Sequence, residues 1–115
     1  MIVDDSPDNR AILRDVLKVL GHEVISELGE SLQAVDEFAK MKPDVLFLDI
    51  AMPRIDGFTV LSEIKQKFPS AKIAIISATD SEKMIEQSFR NGASAFVTKP
   101  YDIQDINRAI LEVHL

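Results

Sequence analysis

Val45-Leu46-Phe47-Leu48-Asp49 is an unbroken apolar run that ends on a carboxylate. A strand that is apolar at every position, not at alternate ones, is covered on both faces, as strands of a parallel sheet packed between helices are. Ile2-Val3, Ile73-Ala74-Ile75-Ile76 and Ala95-Phe96-Val97 share this character. Glu23-Val24-Ile25-Ser26-Glu27-Leu28 is mixed and suits an edge strand. Amphipathic stretches separate these runs, so the chain reads as five βα units in one α/β domain spanning residues 1–115.

The helical stretches carry their own punctuation. Ser6 can cap free N–H groups, Pro7 suits the first helical position, and Gly21 is a left-handed stop. Between them Leu13, Val16, Leu17 and Leu20 form one apolar stripe. Leu32, Val35 and Phe38 form a second, Leu61, Ile64 and Phe68 a third, and Ile103, Ile106, Ile110 and Val113 a last one, all read as core-facing. From Ser81 to Asn91 only Met84, Ile85 and Phe89 are large and apolar, which predicts the least buried helix. Only Met1 to Val3 precede the first acidic pair, so the first strand is very short for a central one. Either the sequence is trimmed there or the start is tight.

Composition narrows the chemistry. At 115 residues, 46% hydrophobic and 28% charged, the chain has the make-up of one soluble globular domain. Its apolar runs fall far short of the ~20 residues a membrane span needs, and Asp4-Asp5 speak against a secretory signal, so a cytoplasmic location is expected. Without cysteine there is no disulfide, thiolate metal site or thiol nucleophile. A net charge of −6 disfavours a broad nucleic-acid-binding face.

Polar residues gather at one kind of place, the carboxyl end of an apolar run. Asp4 and Asp5 follow the first strand, Asp49 ends the third, Ser77 the fourth and Lys99 the fifth. In an open parallel sheet those ends share one edge, where ligands bind. Clustered carboxylates repel unless a cation intervenes, and oxygen ligands without His or Cys suit Mg²⁺. Lys99 and Ser77 offer a point charge and a hydroxyl to the oxygens of a phosphoryl group, and Asp49 is the natural nucleophile between metal and lysine. Each residue alone has a plainer reading: Asp4-Asp5 as a solvated loop or cap, Ser77 as a loop hydroxyl, Lys99-Pro100 as a turn and Phe96 as a core or edge-strand aromatic. An acid directly after Val45–Leu48 is harder to dismiss, because it should be nearly buried and therefore paired.

Together Val3-Asp4-Asp5-Ser6, Pro43 through Pro53 with Asp56-Gly57, Ile76-Ser77-Ala78, and Gly92-Ala93 through Lys99-Pro100 resemble the receiver domain family of response regulators, over essentially the whole chain. The resemblance implies a flavodoxin-like, doubly wound parallel sheet in strand order 2-1-3-4-5. It implies that Asp49 accepts a phosphoryl group from the phosphohistidine of a sensor histidine kinase or histidine phosphotransfer protein. Asp5 and Asp49 would hold Mg²⁺, or Mn²⁺, directly, Asp4 through water, and Ala51 through its backbone carbonyl. Lys99 would pair with the phosphoryl group, Ser77 and Phe96 would be the switch pair, and Pro100 would follow a cis peptide. Pro53 and Asp56-Gly57 look structural, with Gly57 supplying a backbone conformation other residues resist.

Such a domain works on no external substrate and signals by changing its affinity for a downstream protein target or an output domain. The expected reading surface is the Ser81–Asn91 helix, the strand of Phe96 and the last helix. No direct nucleic-acid or membrane partner is expected. Two rivals fit less well. An aspartate-based phosphohydrolase places its nucleophile in an Asp-x-Asp pattern after the first strand, and a flavin or nucleotide module wants a glycine- or hydroxyl-rich phosphate loop there. This chain has adjacent aspartates instead.

Overall fold

In the computed structural model, which describes residues 1–51 and 57–115, strand and helix alternate along the whole chain. The order is β1 (Ile2–Val3), α1 (Pro7–Val19), β2 (Glu27–Leu28), α2 (Ala34–Met41), β3 (Leu46–Asp49), α3 (Gly57–Lys67), β4 (Ile73–Ser77), α4 (Glu82–Arg90), β5 (Ala95–Thr98) and α5 (Ile103–Val113). All pairings are parallel, and the five strands lie in the order β2-β1-β3-β4-β5. Met52, Pro53 and Asp56 lie outside the described residues.

Side chains alternate across the pleat, so each strand feeds two cores. Leu46, Leu48, Ile73 and Ile75 pack with Phe38 of α2 and with Val60, Leu61 and Ile64 of α3. Phe47, Ala74, Ile76, Ala95 and Val97 pack with Leu13 and Leu17 of α1 and with Ile106, Ala109, Ile110 and Val113 of α5. Continuous apolar runs are thus explained by helices on both faces. Rings of Phe38 in α2 and Phe68, the residue after α3, lie 5.2 Å apart.

Helix α1 starts as its sequence predicts, with Ser6 Oγ accepting from the Asn9 amide and Pro7 as the first helical residue. Gly21 follows its end with φ +88°, a left-handed conformation suited to glycine. At Gly57 close approach requires glycine, since a Cβ there would sit 2.5 Å from the Ile50 Cα.

Four expectations need correcting. The second strand is Glu27–Leu28, not the six-residue run from Glu23, because β1 offers only Ile2 and Val3 as partners. Strand β5 is an edge, with Ala95 and Val97 buried but Phe96 and Thr98 only partly so. Leu32 precedes α2 and is 70% exposed, and Ile103 at the start of α5 is 39% exposed. Helical spacing assigned both to the core, yet Leu32 lies before its helix begins and Ile103 is the first residue of its own. Helix α4 is lightly buried as expected, with Ser88 its only buried residue and Phe89 exposed. Among the described residues no helix is long and apolar enough to cross a membrane.

Candidate functional site

At the carboxyl edge of the sheet, β1, β3 and β5 deliver three aspartates and a lysine to one cluster. The Asp4 amide donates to the Leu28 carbonyl at 3.0 Å, which carries the sheet pairing one residue past β1. Asp4 and Asp49 are buried, whereas Asp5 is exposed. One carboxylate oxygen from each of the three lies within 4.8 Å of the others. The Lys99 amide donates to the Ser77 carbonyl at 2.8 Å, fixing the backbone from which its side chain reaches back. The Lys99-Pro100 peptide is cis, as the resemblance implied.

Buried carboxylates must be paired, and these are. Lys99 Nζ donates to Asp4 Oδ2 at 2.8 Å and to Asp49 Oδ2 at 3.1 Å. The other oxygens accept backbone amides, Asp4 Oδ1 from Ser6 at 2.9 Å and Asp49 Oδ1 from Ala51 at 2.8 Å. Three carboxylates against one ammonium leave an excess of two negative charges. The donor set is all oxygen, so it fits a hard divalent cation such as Mg²⁺. Burial pulls the Lys99 pKa down, but its hydrogen bond to Asp4 and the charge of Asp49 more than offset this, and it is raised above the usual lysine value. Nearby Tyr101 is pushed up to about 12 by burial and then by the Asp4 charge.

The remaining predicted residues stand around this cluster, not within its ion pairs. Ser77 is fully buried at the end of β4, and its Oγ accepts from the Thr79 amide at 3.1 Å. Phe96 pairs in register with Ile75 and packs on the same face of the sheet. Ala51 meets Asp49 through its amide, while its carbonyl appears in none of the described hydrogen bonds. Arg10 escaped the sequence reading. Its Nη1 donates to the Asp4 carbonyl at 2.6 Å. The available signal was a cation early in a helix, where the dipole disfavours positive charge unless something outside the helix holds it.

Fold and site define a receiver of two-component signalling, and the comparisons agree: residues 1–111 match the response regulator receiver domain, and the chain belongs to that family. Among curated relatives, the chemotaxis protein CheY of Bacillus subtilis is 36% identical over 110 residues, covering 96% of this chain and 92% of that protein. CheY of Thermotoga maritima is 33% identical over 113 residues, covering 98% and 94%. A crystal structure of the CheX–CheY–BeF₃–Mg²⁺ complex from Borrelia burgdorferi superposes with a TM-score of 0.93 at 30% identity, covering 99% of this chain and 87% of that one. The flavodoxin-like fold in order 2-1-3-4-5 is therefore that of a CheY-like receiver, whose general function is a phosphorylation switch. Receiver domains bind Mg²⁺ at an acidic pocket, and Asp4, Asp5 and Asp49 form such a cluster here.

Proposed function

We propose that residues 1–115 act as one phosphorylation-dependent switch in which Asp49 accepts the phosphoryl group. The observation that carries this is the position of Asp49. It ends β3, between β1, which is followed by Asp4 and Asp5, and β4 with Ser77, and Lys99 lies on its Oδ2. A carboxylate oxygen of Asp49 attacks the phosphorus of a phosphohistidine, the P–N bond breaks with its electron pair returning to the imidazole, and an acyl phosphate forms. Asp5 and Asp49 would hold Mg²⁺ or Mn²⁺ directly, Asp4 through water and Ala51 through its carbonyl. When bound, the cation neutralises charge on the transferring phosphoryl oxygens. Lys99 follows the new negative charge from Asp49 onto a phosphoryl oxygen. The same residues support slow loss of the phosphoryl group to water, with no external substrate.

Ser77 and Phe96 support a route for the signal outwards. They lie on one face of adjacent strands, since Phe96 pairs with Ile75 and Ser77 is one pleat further on. If the Ser77 hydroxyl leaves Thr79 for the phosphoryl group, Phe96 can turn inward and alter the α4-β5-α5 face. That face binds a downstream protein target or an output domain. Upstream, a sensor histidine kinase or histidine phosphotransfer protein supplies the group in the cytoplasm. The chain's net charge of −6 argues against a direct nucleic-acid face.

Amide shifts on adding Mg²⁺ with beryllofluoride, a non-covalent phosphoryl mimic, test this reading. Changes should run from Asp49 and Ser77 through Ser81–Asn91 to Phe96 and Tyr101, and Ser77→Ala should shorten that reach while the mimic still binds. Shifts confined to the residues around Asp49 would refute the switch.

A further inference from the structure

Arg10 lies early in α1 and is held from outside the helix. Beyond its bond to the Asp4 carbonyl, its Nε lies 3.6 Å from Glu27 Oε1, and its side chain is 20% exposed. Glu27 also accepts from Arg14 through both carboxylate oxygens. Gly29 gives the guanidinium room, since a Cβ there would come 3.1 Å from Nη1. One guanidinium thus ties the end of β1 to α1 and β2.

What lies across that carbonyl gives the contact its importance. The Asp4 carbonyl and the Asp5 amide share one rigid peptide plane, so holding the oxygen sets the direction in which Asp5 leaves. Asp4 is anchored at both carboxylate oxygens. Asp5 is exposed, and its carboxylate has no hydrogen bond or ion pair among the described residues. Its aim toward Asp4 and Asp49 is therefore inherited from the backbone.

We infer that Arg10 is a positioning residue for the cation site, orienting the Asp4-Asp5 peptide so that the Asp5 carboxylate faces those of Asp4 and Asp49, with Glu27 holding the guanidinium in place. This rests on the Mg²⁺ reading of the acidic cluster. Charge alone makes the opposite forecast: a cation removed from beside three acids should tighten Mg²⁺ binding, and a lysine in its place should change nothing. Positioning requires weakening in both cases, because lysine keeps the charge but not the fork that reaches carbonyl and carboxylate together.

Mg²⁺ titration of wild type, Arg10→Met, Arg10→Lys and Glu27→Gln, followed through the amides of Asp5 and Ser6, separates the two, with melting temperatures taken in EDTA. Both Arg10 variants should bind Mg²⁺ roughly tenfold more weakly, and Glu27→Gln about threefold. Unchanged or tighter binding in the Arg10 variants overturns the inference, as does a lower melting temperature with unchanged affinity, which marks a merely structural role. Should Arg10→Met fail to fold, Arg10→Lys and Glu27→Gln decide the matter by the same comparison. Wild type that shows no saturable Mg²⁺ binding overturns the cation reading itself, whereas wild-type binding with unaltered variants overturns only the role of Arg10.

Discussion

Asp4 and Asp5 are adjacent in the chain, yet the same substitution should act on them in opposite directions. Asp4→Asn turns an amide NH₂ against either Lys99 Nζ or the Ser6 amide, both of which now meet an acceptor. The metal-free protein should lose about 1–3 kcal/mol, the cost of a buried donor left facing a donor. Asp5→Asn breaks no bond and removes a repelling charge, so calorimetry in EDTA should find a melting temperature up to about 4 °C higher, an exposed charge being worth under ~1 kcal/mol. Its Mg²⁺ affinity should fall roughly tenfold if Asp5 is the direct ligand proposed above. A metal-free Asp5→Asn protein that melts lower than wild type would contradict this picture of the cluster. The alkaline limb follows from Lys99 and Tyr101. Both have folded pKa values raised above the ordinary ones, so their stabilisation is complete below the unfolded values and is lost as pH rises through the folded ones. For Tyr101 that window runs from pH 10.0 to about 12. Melting temperature should hold to about pH 10 and then fall, less steeply in Tyr101→Phe; a level profile through the window would count against these shifts. The acids were legible because each ends an apolar run, but the pairing of Lys99 with both Asp4 and Asp49 depends on side-chain reach, which no spacing reveals.

Elements were most legible where local chemistry decides them. Ser6-Pro7 and Gly21 bracket α1 because capping and φ preference act within a few residues. The length of β2 was not legible, since it depends on how many partners β1 offers across space. Nor was the exposure of Leu32, whose spacing matches Val35 and Phe38 although it lies before the helix starts. Gly57 shows the same limit from the other side, because its contact with Ile50 arises where α3 approaches the strand end. Alanine is the better helix former by about 1 kcal/mol, so propensity alone expects Gly57→Ala to stabilise α3. The 2.5 Å approach to the Ile50 Cα expects the reverse, a loss of roughly 1–3 kcal/mol, because backbone cannot move aside as a flexible side chain can. Urea unfolding distinguishes the two, and a stabilised Gly57→Ala would mean that α3 shifts freely.

At the scale of the whole molecule, the alternation of strands and helices, the burial of both sheet faces and the common edge of polar strand ends could all be read from the sequence, because a parallel sheet covered on both faces leaves few arrangements for five apolar runs, whereas the division of the interior into two clusters was not. The strand order was reached through family resemblance, since five βα units alone permit several windings. That order puts β3 between β1 and β4, and so puts Asp49 between the acids and the Ser77 hydroxyl. The central claim is that this position makes Asp49 the phosphoryl acceptor. Intact mass after treatment with acetyl phosphate and Mg²⁺ measures it most directly. Wild type should gain the mass of one phosphoryl group, labile to hydroxylamine and absent when EDTA replaces Mg²⁺, and Asp49→Asn should gain none. Equal labelling of Asp49→Asn would contradict the account.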